Sequence, residues 1–276
     1  MKYWKRNYQL RVGVGSQAVT IKPPFRISFS VDKSIEVGLN KAKIMVWGLK
    51  QSTRLKLIKD EWSQEHFPIE LMIGYGDKLG LIFRGSVRKG EFDRDGADFV
   101  STMDCFDGGV DVINGFTNTV ANSKKEAVQA ALADMPNTKT GAISKEGSLT
   151  RPVIMVGNSA NLIANQLDED EEFFIDNEQL FVINRDEVRS NYAPLVTART
   201  GLLNTPVVSK GKITFDTMIN PTLTLAGLCK VEAKFNPEVN DVYRIEQMNY
   251  SGDYKGPDWS QSVSGRLANN TRVVQR

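Results

Sequence analysis

Apolar and polar residues alternate without a miss from Phe25 to Asp32 (Phe-Arg-Ile-Ser-Phe-Ser-Val-Asp). Successive side chains of an extended chain point to opposite faces, so this pattern predicts a half-buried strand. Ala42, Ile44 and Val46 repeat the alternation, as do Ile69, Leu71, Ile73 and Tyr75. Gly74-Tyr75-Gly76-Asp77 supplies turn chemistry, Leu81 to Val87 reads as a further strand, and Asp93 to Gly96 turns the chain into Asp98–Phe106. Only Ser52 to Glu61 departs from the extended pattern, with Leu55, Ile58 and Trp62 at helical spacing. Short strands at this cadence predict a barrel or sandwich for the first hundred residues.

The middle of the chain reads differently. Ser123-Lys124-Lys125-Glu126 is a capping-box pattern that opens a helix. Val128, Ala131, Leu132 and Met135 share its apolar face, and Pro136 stops it. A polar stretch (137–151) reads as a loop. A strand at Val153–Val156 and a helix near Ser159–Leu167 follow, then a hairpin of Phe173–Asp176 and Gln179–Arg185 around Asn177-Glu178. From about Leu195 the chain is again β, with strands at Lys212–Phe215, Leu228–Phe235, Val242–Tyr250 and Trp259–Leu267. The expected organisation is mainly β with an α/β insert: a β domain over 1–110, a helix linker and small α/β domain over 111–194, and a second β domain over 195–276.

The composition narrows the function. The 276 residues, 41% hydrophobic and 25% charged, suit a soluble globular protein with a sizeable core. Thirty-five basic against 33 acidic residues leave +2, which is not the footprint of a dedicated nucleic-acid binder. The basic N-terminus lacks the apolar core of a signal peptide, and no apolar run approaches the ~20 residues that span a bilayer. Neither secretion nor a membrane partner is expected. Cys105 and Cys229 have no metal-ligand spacing and read as small buried hydrophobes.

Motifs that would carry catalysis or a cofactor do not complete. Gly13-Val14-Gly15-Ser16-Gln17-Ala18 fits a dinucleotide fingerprint only formally, because Val19 to Pro24 is extended where a helix must begin. A hairpin turn is the reading. A calcium loop counted from Asp93 fails at its fifth and sixth positions, Ala97 and Asp98. His66 is the only histidine, so histidine-based metal sites are excluded; its place before a strand reads as a loop or surface position. No nucleophile elbow accompanies it. Carboxylate-pair hydrolysis needs two acids that meet in space, and no segment points to such a pair. Asn249-Tyr250-Ser251 and Asn269-Asn270-Thr271 match a glycosylation pattern that matters only in a secretory pathway. No catalytic residue, metal or cofactor is expected.

Two stretches remain. Asp168, Glu169, Asp170, Glu171 and Glu172 form the densest charge run, a solvated face first and a partner-docking patch second. The stretch from Gly252 to Trp259 reads as a tight hairpin loop: Gly252 and Gly256 allow unusual backbone angles, Asp253 can bond the turn's own N–H groups, and Trp259 anchors the next strand.

The order of these segments resembles the baseplate hub family of contractile and related phage tails. The stretches that carry the resemblance are Phe25–Val31, Ala42–Leu49, Ile69–Tyr75, Ile82–Gly85 and Met103–Gly108 near the N-terminus. Near the C-terminus they are Gly201–Pro206, Asn220-Pro221 and Tyr250–Asp253 with Gly256 and Trp259. Each is weakly specific; their order over roughly residues 20–267 carries the weight.

The resemblance implies two tail-tube-like β-barrel domains flanking a small α/β domain, and three chains forming a ring whose six barrels imitate a six-fold tail-tube ring. It implies partners: the tail tube or its terminal ring proteins on one side, a central spike protein on the other, and the tape-measure protein or DNA passing the lumen without specific binding. Such a chain is made and assembled in the host cytoplasm and ends in the virion tail. Type VI secretion spike proteins share the barrel pair, and this chain is too short for the needle that follows there, so a stand-alone hub is expected. Two alternatives stand beside it. One is a β-barrel binding module that stacks nucleic acid or glycan on Trp4, Trp47, Trp62 and Trp259. The other is a tail tube or distal tail protein of shared barrel ancestry.

Overall fold

Alternation in the first segment produces a run of antiparallel strands in the computed structural model, which describes residues 5–36, 39–144, 147–269 and 271–274. They are β1 (Arg6–Val12), β2 (Val19–Ile21), β3 (Ile27–Ser34), β4 (Lys41–Trp47), β5 (Pro68–Tyr75), β6 (Lys78–Asp95) and β7 (Asp98–Phe106), with helix α1 (Gln51–Lys56) after β4. The helix stops five residues short of the expected Glu61. Its face is thin: Leu55 and Ile58 are exposed, and the buried apolar side chain is Leu57, just beyond the helix. Gly13 and Gly15, both at positive φ, turn β1 back into β2, which pairs with it antiparallel; a single 3-10 turn over Gly15–Gln17 lies between them, and no α-helix opens there.

The middle holds α2 (Gly109–Asn114), β8 (Phe116–Ser123), α3 (Lys124–Ala133), β9 (Lys139–Ile143), β10 (Ser148–Asn158), α4 (Ser159–Ala164), β11 (Glu171–Ile175), β12 (Gln179–Asn184) and β13 (Glu187–Val188). Ser123 Oγ accepts the Glu126 N–H at 3.1 Å, and Glu126 Oε2 accepts the Asn122 N–H at 2.8 Å, a capping box reaching one residue further back than usual. Ala127, Val128, Ala131 and Leu132 face a second core with Met155, Ile163 and Leu180. The polar stretch 137–151 is not a loop throughout. Residues of β9 pair in parallel with β12, and β10 begins at Ser148, five residues earlier than expected. Polar composition hid these strands because their partners lie far along the chain.

The last segment comprises β14 (Leu195–Val196), β15 (Val207–Ser209), β16 (Lys212–Met218), β17 (Leu228–Val231), β18 (Asp241–Asp253), β19 (Trp259–Leu267) and β20 (Arg272–Val273). The first and last segments share one sheet, in the order β15-β16-β19-β18-β3-β4-β7-β6-β5-β1-β2, with β17 also on β18 and β14 on β17. The link is β18 against β3, with Gln247 opposite Ser34 and Asp253 opposite Ser28. One core lies behind this sheet, and Val31, Ile44 and Phe83 share it with Phe215, Tyr250 and Val263. Cys105 and Cys229 are buried free thiols, and burial pushes both well above the ordinary thiol range.

Candidate interaction surface

The strand register puts small polar side chains in rows across the sheet. Residues directly opposite one another share a face. One row runs Met218, Ser260, Ser251, Ser30, Lys43, Asp104, Lys89 across the seven strands β16, β19, β18, β3, β4, β7 and β6. A second runs Asp216, Ser262, Asn249, Asp32, Lys41, Phe106. Every residue of both rows is partly or fully exposed. Between them lies the row Thr217, Gln261, Tyr250, Val31, Ala42, Cys105, Val87, buried throughout. The sheet therefore has one core face and one wet face, continuous across the first and last segments. On the wet rows Lys41, Lys43 and Lys89 balance Asp32, Asp104 and Asp216, and most other positions are Ser or Asn. Such a face is wettable, carries little net field and offers no stacking platform.

The sheet has a free edge on each side of this face. The second half of β6 pairs with β7 alone over Lys89–Asp95, apart from an isolated bridge between Gly90 and Lys59. At the other side β15 pairs only with β16, and its Val207 and Val208 are exposed. Unpaired edges with exposed β-branched residues are templates for another chain.

A corner holds the two segments together. Asp253 Oδ1 accepts the N–H groups of Lys255 and Gly256 at 2.9 and 3.0 Å, closing the loop after β18. Arg26 Nη2 meets Asp253 Oδ2 at 2.7 Å, and the Arg26 guanidinium lies 4.4 Å from the Trp47 ring centroid. Arg6 donates to the carbonyls of Asp253, Gly256 and Pro257 at 3.0, 2.6 and 2.8 Å. Burial works against ionisation of Asp253, but Arg26 and the loop N–H groups outweigh it and hold the carboxyl below the usual range. Trp259 is buried edge-on to Phe29, with ring centroids 5.4 Å apart, and a Cβ on Gly252 would lie 2.3 Å from the Phe29 ring. Gly252, Asp253, Gly256 and Trp259 thus face inward, onto Arg6, Arg26 and Phe29. The arginines escape sequence reading because they sit some 230 to 250 residues from the loop.

The acidic run divides. Asp168, Glu169 and Asp170 are exposed, although Asp168 meets Lys124 Nζ at 2.5 Å. Glu171 caps back onto the Asp168 N–H at 2.7 Å, and Glu172 pairs with the buried Arg244 of β18. Glu172 therefore leaves the solvated face and ties the middle segment to the last one, while Glu171 stays half-exposed at the start of β11. The tryptophans do not form a platform either. Trp62 is 85% exposed, Trp259 is buried, Trp47 is covered by Arg26 and bonded to Asp95, and Trp4 lies outside the described residues. His66 lies in the expected loop but turns inward, with Nε2 3.2 Å from Glu178 Oε1. Among the described residues no helix is long and apolar enough to cross a membrane.

This sheet architecture is that of phage tail proteins. Similar solved structures include the prophage MuSo2 43 kDa tail protein of Shewanella oneidensis (TM-score 0.62, 8% identity, 96% of this chain and 100% of that one). A tail protein of Neisseria meningitidis MC58 is similar over 94% and 96%, with TM-score 0.65 and 7% identity. The Escherichia coli c3393 protein, a component of the type VI secretion system with structural similarity to T4 tail proteins gp27 and gp5, is similar over 92% and 76%, with TM-score 0.60 and 10% identity. At these identities the likeness is one of fold. None of the curated proteins matches by sequence. The chain belongs to the baseplate hub gp41 family, which it matches over residues 9–257. It is a structural protein of the phage tail baseplate and not an enzyme.

Proposed function

We propose that three copies of this chain close a ring of pseudo-six-fold symmetry that joins the tail tube to the central spike. The observation that carries this reading is the wet face running unbroken over seven strands from both ends of the chain. Each chain contributes two barrel-like halves fused through β3 and β18, so three chains present six. In the ring the wet face lines the channel, and its balanced charge and small side chains let DNA or the tape-measure protein pass without being held. The free edge of β6 in one copy meets the β15 edge of the next, so that both of these edges are covered in the closed ring. The corner at Gly252, Asp253, Gly256 and Trp259 keeps the two halves at a constant angle, and Glu169 and Asp170 of the acidic run remain open to a basic partner surface. Synthesis and assembly take place in the host cytoplasm before incorporation into the virion tail.

A seam variant tests the reading. Val207→Asp with Val208→Asp puts two carboxylates on an exposed edge strand, where the monomer has no core to lose. The ring reading expects folded monomers by light scattering. Unaltered ring assembly by this variant contradicts the seam, and open filaments from the unmodified chain favour a tail tube protein instead.

A further inference from the structure

Each free edge of the large sheet has an apolar feature beside it. Next to β15 it is a projecting side chain. Phe235 is 86% exposed, the most exposed large apolar residue among those described. Its neighbour Asn236 donates from Nδ2 to the Pro206 carbonyl at 3.5 Å, which places Phe235 at the start of β15. Leu203 and Val207 are exposed on the same stretch.

Next to β6 the feature is a cavity. Lys59 bridges to Gly90 on the free half of that strand. Beyond the bridge, Trp62 joins Val87 of β6, Phe106 at the end of β7 and Val110 and Ile113 of α2 in walling a cavity of about 230 Å³. Trp62 and Ile113 are exposed, so they stand at its mouth. The charged groups that line it are already engaged: Glu61 pairs with Arg88 at 3.2 Å, and Lys59 Nζ donates to the Glu65 carbonyl. A charged ligand finds no free counter-charge there, whereas an apolar side chain meets an apolar wall. A cavity of this kind, with bare apolar side chains at its mouth, marks a surface that a partner covers.

The area that a seam needs decides what the partner is. A stable interface buries about 800 Å² on each side, around a core with aromatic anchors. Strand β15 offers only three residues to a neighbouring edge, a length of about 10 Å. Edge pairing alone therefore falls well short, and the remainder must come from side chains beside the two edges. We propose that Phe235 of one copy fills the cavity beside Trp62 and Ile113 of the next, as the apolar anchor of the seam. The occupant is a second copy of this chain, and the contact rests on the ring reading above. Two different patches on one chain make a head-to-tail contact, the kind that closes into a ring when its rotation permits. Trp62, bare in the single chain, is buried once the seam forms.

Two variants of the full chain test the contact from its two ends. Phe235→Asp removes the anchor and leaves the cavity, while Ile113→Asp blocks the cavity and leaves the anchor. Both positions are exposed, so neither variant loses core. Loss of a central anchor weakens an interface at least about thirtyfold. Each variant alone should therefore be monomeric by light scattering at concentrations where the wild type forms rings. Mixed one to one, well above those concentrations, they should give dimers and stop there, because each pair keeps one intact anchor and one open cavity. Rings from either variant with the wild-type concentration dependence overturn the contact and leave the ring reading standing. Monomers alone in the mixture also overturn it, since the two residues are then not opposite sides of one contact. A wild-type chain that stays monomeric, alone and with a candidate spike protein, overturns both. Open filaments of the wild type that both variants dissolve support the contact and contradict the ring. Should either variant lack a cooperative thermal transition, Phe235→Ser and Ile113→Ser are read in the same assay.

Discussion

Arg26 and Asp253 stand 227 positions apart in the chain, yet the arginine grips the carboxylate with Nη2 on Oδ2 at 2.7 Å and Nε within 3.3 Å of both oxygens. Because Arg26 belongs to the lead-in of β3 and Asp253 ends β18, the pair sits at the join that makes two β-rich segments into one sheet. The two partners are not equal in weight. The Arg26 side chain is 42% exposed and its ion pair is screened, so Arg26→Ala should cost no more than about 1 kcal/mol. Asp253 also closes the loop through two backbone N–H groups, so Asp253→Ala should cost about 1–3 kcal/mol in denaturant unfolding.

The corner carries a pH dependence on the acid side. Asp253 is held below the ordinary carboxylate range, so its contribution is present above ~4 and lost as pH falls through its folded value. Acid unfolding of Asp253→Asn should show a shallower fall below pH ~4 than that of the wild type. An identical acid limb would mean that Asp253 does not contribute to the acid transition.

Gly252 allows Phe29 to lie against the strand. A methyl group there meets the ring at 2.3 Å, and the ring is itself held edge-on by Trp259. Gly252→Ala should destabilise by about 1–3 kcal/mol through overpacking. Combining it with Phe29→Leu should recover part of that loss, read as a non-additive double-mutant cycle.

Lys33, the single lysine of β3, points inward, 3% exposed against Asp176 at 2%. Removing one member of a buried pair strands the other, so Lys33→Met should cost about 3–5 kcal/mol. Lys33→Met with Asp176→Leu should cost less than the sum of the single changes, because neither charge is then left alone, although Arg189 loses its partner. Thermal unfolding of the three variants checks this.

Much of the architecture is legible in the residues because strand alternation is local. Ile27, Phe29 and Val31 point to the core as their period requires, the Asn177-Glu178 pair is readable as a hairpin, and Ser123 as a helix cap. What is not legible depends on distant partners. β9 lies in a polar stretch and exists because β12 accepts it in parallel. Lys33 falls on the inward side of the β3 alternation, where a charge has no local partner, and it is satisfied there by Asp176, 143 residues away. The acidic run reads as uniform, yet Glu172 is taken inward by Arg244, 72 residues on. The wet face is the clearest case: each serine is unremarkable in sequence, and only the register of seven strands from both ends of the chain places Ser30, Ser251 and Ser260 side by side.

On the proposed function, three chains close a ring around the wet face. Negative-stain imaging of the purified chain, with its solution mass by light scattering, reads this out, for the chain alone and mixed with a candidate spike protein. Three-fold rings with a central hole and the mass of three chains are expected in at least one of the two conditions. A monomer in both, or an open-ended polymer, would contradict it.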